Sequence, residues 1–156
     1  MNEKAIDHAQ VKIHPPVLTL IHVAAALLLN WLFPFPAALP QIWKSLGVFL
    51  VLAGLALALL AIRQFSLAHT TVDPHGSVTT LVTSGPYRFS RNPIYLGFVL
   101  MLAGFPLFSG TVWGAILVPV LILNLNSLVI RHEEAYLEKK FGGGYAGYKS
   151  RVKRWL

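Results

Sequence analysis

The residues of this 156-residue chain best suited to chemistry lie in two places: Gly85–Gly97, GPYRFSRNPIYLG, and the pair Glu133–Glu134. The first stretch gathers two arginines, two tyrosines, an asparagine and two prolines at the mouth of an apolar helix. Charge so close to hydrocarbon persists mainly where it has a task. Asn92-Pro93 opens the helix, because proline suits the first helical turn and asparagine is a good cap. Free N–H groups and the positive dipole end at that point suit a carboxylate. Glu133 and Glu134, as helix neighbours, point about 100° apart. In one reading Glu134 pairs with Arg131 or the lysine-rich tail and Glu133 is solvated; in the other, one of the two turns inward to hold an ammonium or sulfonium. An amino-acid-like ligand thus finds donors in one motif and a carboxylate in the other. The plainer reading makes Arg88 and Arg91 membrane anchors and Tyr87 and Tyr95 interfacial belt residues.

Other chemistries are poorly served. The six histidines show no HxxxH or HExxH spacing, so no metal site is expected. The absence of cysteine excludes disulfides and thiol nucleophiles. There is no Ser-His-Asp set, P-loop or dinucleotide fingerprint. His22, Asn30, Asn124 and Asn126 interrupt apolar runs, where such residues mostly bond across helices. Asn126, about one turn inside Arg131, borders the expected pocket.

Composition dictates what must position these groups. Hydrophobic residues make up 55% and charged residues 12%, against roughly 25% charged in soluble domains. The net charge of +7 comes from basic residues flanking apolar runs, which favours anionic lipid headgroups over nucleic acid. The expected fold is an all-α membrane protein of one domain, residues 1–156, with four transmembrane helices near 17–33, 46–62, 94–108 and 112–130. The runs lack the alternation of barrel strands. The first fifteen residues are polar and the apolar run after them is long enough to remain as a span, so no cleavable signal peptide is expected. Pro34, Pro36 and Pro40 close the first span, and a tight Ser109–Thr111 turn makes the last two an antiparallel hairpin. With both termini inside, Lys4, Lys12, Arg63, Arg88, Arg91 and the seven basic residues from Arg131 onward stand against Lys44 alone, 12 to 1. Cytoplasmic termini follow, in a multi-pass protein of a prokaryotic inner membrane. The loop Ala68–Ser84 and the C-terminal tail then share one side. The loop reads as irregular, with a short extended piece near Thr79–Thr83. The tail is helical to Phe141, broken at Gly142–Gly144, and ends in an amphipathic basic segment suited to headgroups. Gly54 and Ala58 offer a small-residue face for dimerisation or internal packing.

TTLVTSGPYRFSRNPIYLG, followed about forty residues later by EEAYLEKKFGGGYAGYKSRV, resembles the isoprenylcysteine carboxyl methyltransferase and phospholipid methyltransferase families of integral-membrane enzymes. The resemblance covers roughly Ser66 to Leu156. It implies S-adenosylmethionine-dependent methyl transfer to a lipid-like or amphipathic acceptor, at a carboxyl or an amine, in a membrane-embedded site. It assigns cofactor contacts to Thr79, Thr80, Leu81, Val82, Tyr87, Arg91, Asn92, Pro93, Ile94, Tyr95 and Glu133. Arg131 and Glu134 are the candidates for the chemical step, with Glu134 or Tyr148 taking a proton if the acceptor is an amine. In those families a histidine precedes the proline where this chain has Asn92. The prenylcysteine enzymes carry a substrate-carboxylate arginine where this chain has Val129. The alternative to an enzyme is a non-catalytic membrane scaffold or small transporter.

Overall fold

The computed structural model describes residues 7–34 and 39–156; Lys4 and Pro36, used in the reading above, lie outside the described residues. Four rods form the bundle. They are α1 (Pro15–Leu32), α2 (Gln41–Leu67), α3 (Pro93–Ser109), and a continuous helix made of α4 (Trp113–Leu125), a π turn (Asn126–Ile130) and α5 (Arg131–Phe141). A short α6 (Gly143–Arg151) follows. Among the described residues there is no strand; the segment around Thr79–Thr83 is irregular.

Among the described residues, three helices are long and apolar enough to cross a membrane: α1, α2 and the 113–141 rod. At 17 residues, α3 reaches only about 26 Å at 1.5 Å per residue, just short of a ~30 Å hydrocarbon core. The helices overrun the apolar runs, α2 extending to 41–67 and the last rod to 141. Hydropathy marks where hydrocarbon ends, whereas the backbone hydrogen bonds of a helix continue into polar sequence. Leu20, Trp31, Ile42 and Phe49 point outward from α1 and α2, an apolar exterior that suits lipid.

Close backbone approach holds α2 to α3. A Cβ on Gly54 would lie 2.5 Å from the Gly97 carbonyl oxygen, and one on Gly104 would lie 2.5 Å from that of Gly47. Real Cβ atoms do not come so near, so glycine is required at both levels. The pairing of 47 with 104 and 54 with 97 makes the helices antiparallel. Gly54 and the buried Ala58 therefore pack inside one chain. Gly110, at φ 73°, ends α3 in the left-handed conformation and turns it into α4, as the hairpin expectation required. On the other flank, Asn124 Nδ2 meets His22 Nε2 at 3.2 Å while His22 Nδ1 meets the Leu18 carbonyl at 2.8 Å. These polar residues bond across helices α1 and α4.

The chain before α1 is more than a polar leader. Ala9 and Val11 are buried against Leu18, Leu125 and Val129, and the Lys12 N–H donates to the Leu128 carbonyl in the π turn. The N-terminal segment, the 68–92 connection and the tail thus meet at one end of the bundle.

Candidate functional site

A cavity of about 830 Å³, part of it open to solvent, lies at that end. Its inner wall comes from the start of α3 and from α5, and its outer wall from the loop Thr71–Val82, the 3₁₀ turn Gly85–Arg88 and α6. Pro93 begins α3 and Asn92 is its N-cap residue, as the sequence suggests, but the Asn92 side chain makes no capping hydrogen bond. The Asn92 side chain instead donates to the Arg154 carbonyl at 2.9 Å. The tail has drawn that amide away from the helix end. The Arg91 N–H donates to the Lys153 carbonyl at 3.0 Å, and Ser90 Oγ donates to that of Arg154 at 3.3 Å. Residues 90–92 are therefore laced to residues 153–154.

The two adjacent carboxylates both line the cavity. Their partners differ. Glu134 is buried and receives a fork from Arg154, Nε to Oε1 at 3.0 Å and Nη2 to Oε2 at 2.6 Å. Arg91 Nη1 adds a third contact at 3.2 Å. Such bidentate geometry is the strong form of an ion pair, and it satisfies Glu134 with protein cations rather than with ligand. Glu133 has a single neutral partner, the Tyr95 hydroxyl, which donates at 2.5 Å. Its charge is uncompensated by any ion pair among the described residues. Arg91 is the complementary group: its side chain is 9% exposed, it lines the cavity, and its Nε has no hydrogen-bond partner. A buried polar atom of that kind ordinarily finds one.

Three tyrosines finish the outer wall. The Tyr148 hydroxyl donates to the Tyr87 carbonyl at 2.7 Å, and the Tyr87 ring stands edge-on to Phe65 at 5.6 Å. Burial above all, then the Glu133 charge, pushes the Tyr87 hydroxyl well above the usual phenol range. Burial likewise pushes up Tyr148, and raises Tyr145 to about 12 with help from Glu134. All three are neutral donors near neutral pH. Tyr148, protonated and already bonded, is badly placed to take a proton.

Of the residues singled out from sequence, Thr80, Leu81, Val82, Tyr87, Arg91, Asn92, Ile94, Tyr95, Glu133 and Glu134 line the cavity. Thr79 does not; it braces the loop, with its N–H on Thr70 Oγ1 at 2.9 Å. Pro93 is wholly buried beneath the wall, and Arg131 is exposed and outside the lining. Sequence reasoning missed Tyr136, which also lines the cavity. Its hydroxyl accepts from the Val78 N–H at 3.1 Å and from Lys140 at 3.1 Å. It also missed Arg154. The tail folds back on the end of the bundle, burying Tyr145 and Tyr148. Their i, i+3 spacing was the available signal, since it puts both rings on one helical face.

A family profile described as phospholipid methyltransferase matches residues 42–144, most of the chain and nearly all of this wall. The chain belongs to that family. Among curated proteins, it is 30% identical over 142 residues to protein-S-isoprenylcysteine O-methyltransferase B of Arabidopsis thaliana, covering 84% of this chain and 71% of that one. It is 31% identical over 87 residues to the protein-S-isoprenylcysteine O-methyltransferase of Schizosaccharomyces pombe, 56% of this chain but only 37% of that protein. An uncharacterised Haemophilus influenzae protein matches at 41% identity over 63 residues, 40% of this chain and the whole of that protein. The chain thus spans well under half of the fission-yeast relative's length. No solved structure matches. Membership of this family, together with the apolar rods, makes the chain a multi-pass membrane protein of a methyltransferase family. The profile ends at residue 144, so the Lys153–Arg154 lacing lies beyond it.

Proposed function

We propose that this protein transfers a methyl group from S-adenosylmethionine to a lipid-like or amphipathic acceptor, at a carboxyl or an amine. The observation that carries this is the split between Glu133 and Glu134. One carboxylate is neutralised by Arg154 and Arg91, and the other is left facing the cavity with only a tyrosine hydroxyl. An amino-acid-like ligand end fits the remaining donor set, its ammonium toward Glu133 and its carboxylate toward the free Nε of Arg91. The cofactor supplies a sulfonium-activated methyl, which needs little further activation.

The chain's own residues hold and exclude. Tyr87, Ile94 and Val82 give apolar lining beside these charges. The loop and α6 keep bulk water from the inner wall, and rigid placement supplies the proximity on which an in-line transfer depends. Glu134, with both oxygens engaged, is a positioning residue that ties α5 to the tail; Arg131 has no place at the cavity. Val129 is fully buried in the core, so the position gives no cation to an acceptor carboxylate.

The acceptor comes laterally from the bilayer and the cofactor from the side of the loop, with four helices spanning, α3 at the thin limit, and the termini cytoplasmic. Purified protein in mixed micelles, given methyl-labelled S-adenosylmethionine and total membrane lipid, is expected to label an extractable lipid. Base-labile label identifies an ester and base-stable label an amine. No label above a Glu133→Gln control contradicts the proposal and favours a scaffold.

A further inference from the structure

At the rim of the cavity, the fold brings together His14, just before α1, and Asp73 and His75, about sixty residues later in the loop. One ligand atom from each lies within 4.8 Å of the others. The imidazole rings of His14 and His75 stand 4.3 Å apart between centroids, and His75 Nδ1 is 3.6 Å from Asp73 Oδ1. Spacing along the chain cannot reveal this group, because no two of its histidines share a helix.

Contacts unrelated to these ligand atoms hold both segments in place. In the loop, the Asp73 N–H donates to Thr71 Oγ1 at 3.0 Å and the Gly76 N–H to the Asp73 carbonyl at 2.9 Å. A Cβ on Gly76 would sit 2.7 Å from Thr71 Cγ2, so the turn is closely packed there. On the other side, Lys12 is bonded to Leu128, and Asp7 to Lys140 and Ser77. Asp73 Oδ1 also accepts the His75 N–H at 2.9 Å, so the two imidazole rings are presented by a scaffold that exists without them.

We infer that His14, Asp73 and His75 form a surface site for a borderline divalent transition metal, which clasps the N-terminal segment to the loop over the cavity. Two imidazoles and one carboxylate select zinc, cobalt, nickel or copper over magnesium or calcium. Ligand bonds of about 2.0–2.2 Å place neighbouring ligand atoms roughly 3–3.5 Å apart, within reach of rotations of these exposed side chains; water completes the shell. Asp73 and its neighbour Pro74 also line the cavity, so an ion here would stiffen the wall the ligand must pass.

The test is titration of tag-free, full-length protein in detergent with Co²⁺, read by its visible ligand-field bands, and by competition with Zn²⁺. One saturable equivalent is expected. His14→Ala and His75→Ala should each weaken it by about tenfold or more, at least the loss typical of disturbing a ligand's support. His69→Ala, an exposed histidine of the same connection, should leave it unchanged. Zn²⁺ should also slow amide exchange across residues 7–14 in the wild type and not in His75→Ala. Absence of a saturable band, or wild-type affinity in both ligand variants, overturns the site. Neither readout depends on methyl transfer, so its failure is separate from failure of the proposed activity.

Discussion

Between α2 and α3 the chain is held by shape: Gly47 against Gly104 and Gly54 against Gly97, each backbone in the space a side chain would need. Around the cavity it is held by direction: Arg154 on Glu134, Asn92 on the Arg154 carbonyl, Tyr148 on the Tyr87 carbonyl, Lys140 on Asp7. The first arrangement works in lipid, where apolar attraction between helices gives little and close packing must supply the contact. The second works where water competes and specificity needs donors and acceptors. A rigid helical frame thus carries an outer wall that is tied on at a few polar points, and the two should fail in different ways.

The largest effect is expected in the frame. Gly97→Leu should cost about 3 kcal/mol or more, the upper range for overpacking, and lower the detergent melting temperature without changing its salt dependence. Next comes the innermost tie. Glu134→Ala leaves Arg91 and Arg154 without their shared anion, and breaking such a buried pair costs about 3 kcal/mol, reduced here because Arg154 is about one-third exposed. Limited proteolysis should then cut the tail after Phe141 while α2 and α3 stay intact. If the tail remains protected, Glu134 is not what fastens it.

The weakest tie is at the surface. Lys140 and Ser77 hold the Asp7 carboxyl at about 2, below its ordinary 3.8. A depressed carboxyl pKa contributes stability that is present above the unfolded value and lost as pH falls through the folded one. Protection of residues 7–14 from exchange should therefore hold at pH 5 and fade between about pH 4 and pH 2. Being exposed, this pair should also weaken in 1 M salt, as surface ion pairs do; the Glu134 fork should not. Equal salt sensitivity at both places would erase the distinction between them.

The same contrast explains what the sequence revealed. Apolar runs, Asn92-Pro93 and the Gly110 turn are local signals, and they gave the rods and the hairpin. GPYRFSRNPIYLG and Glu133–Glu134 combine residue types that are rarely placed near lipid without purpose, so the cavity's Arg91, both its glutamates and two of its tyrosines stood out. What stayed hidden was the ties. Arg154 reaches Glu134 across 20 positions and Asp7 reaches Lys140 across 133. Nothing in the local pattern of a basic tail separates a lipid anchor from a strap. Asn92 does stand at the N-cap, but its side chain serves a distant carbonyl and not the helix end.

The sharpest single measurement compares the two neighbouring carboxylates by titrating S-adenosylhomocysteine into wild type and Glu133→Gln in detergent. If Glu133 is the ligand-facing anion, the variant should bind at least about tenfold more weakly, the equivalent of 1.4 kcal/mol, with its melting temperature nearly unchanged. Binding equal to wild type would contradict that assignment and remove the cavity's main claim to a cationic ligand.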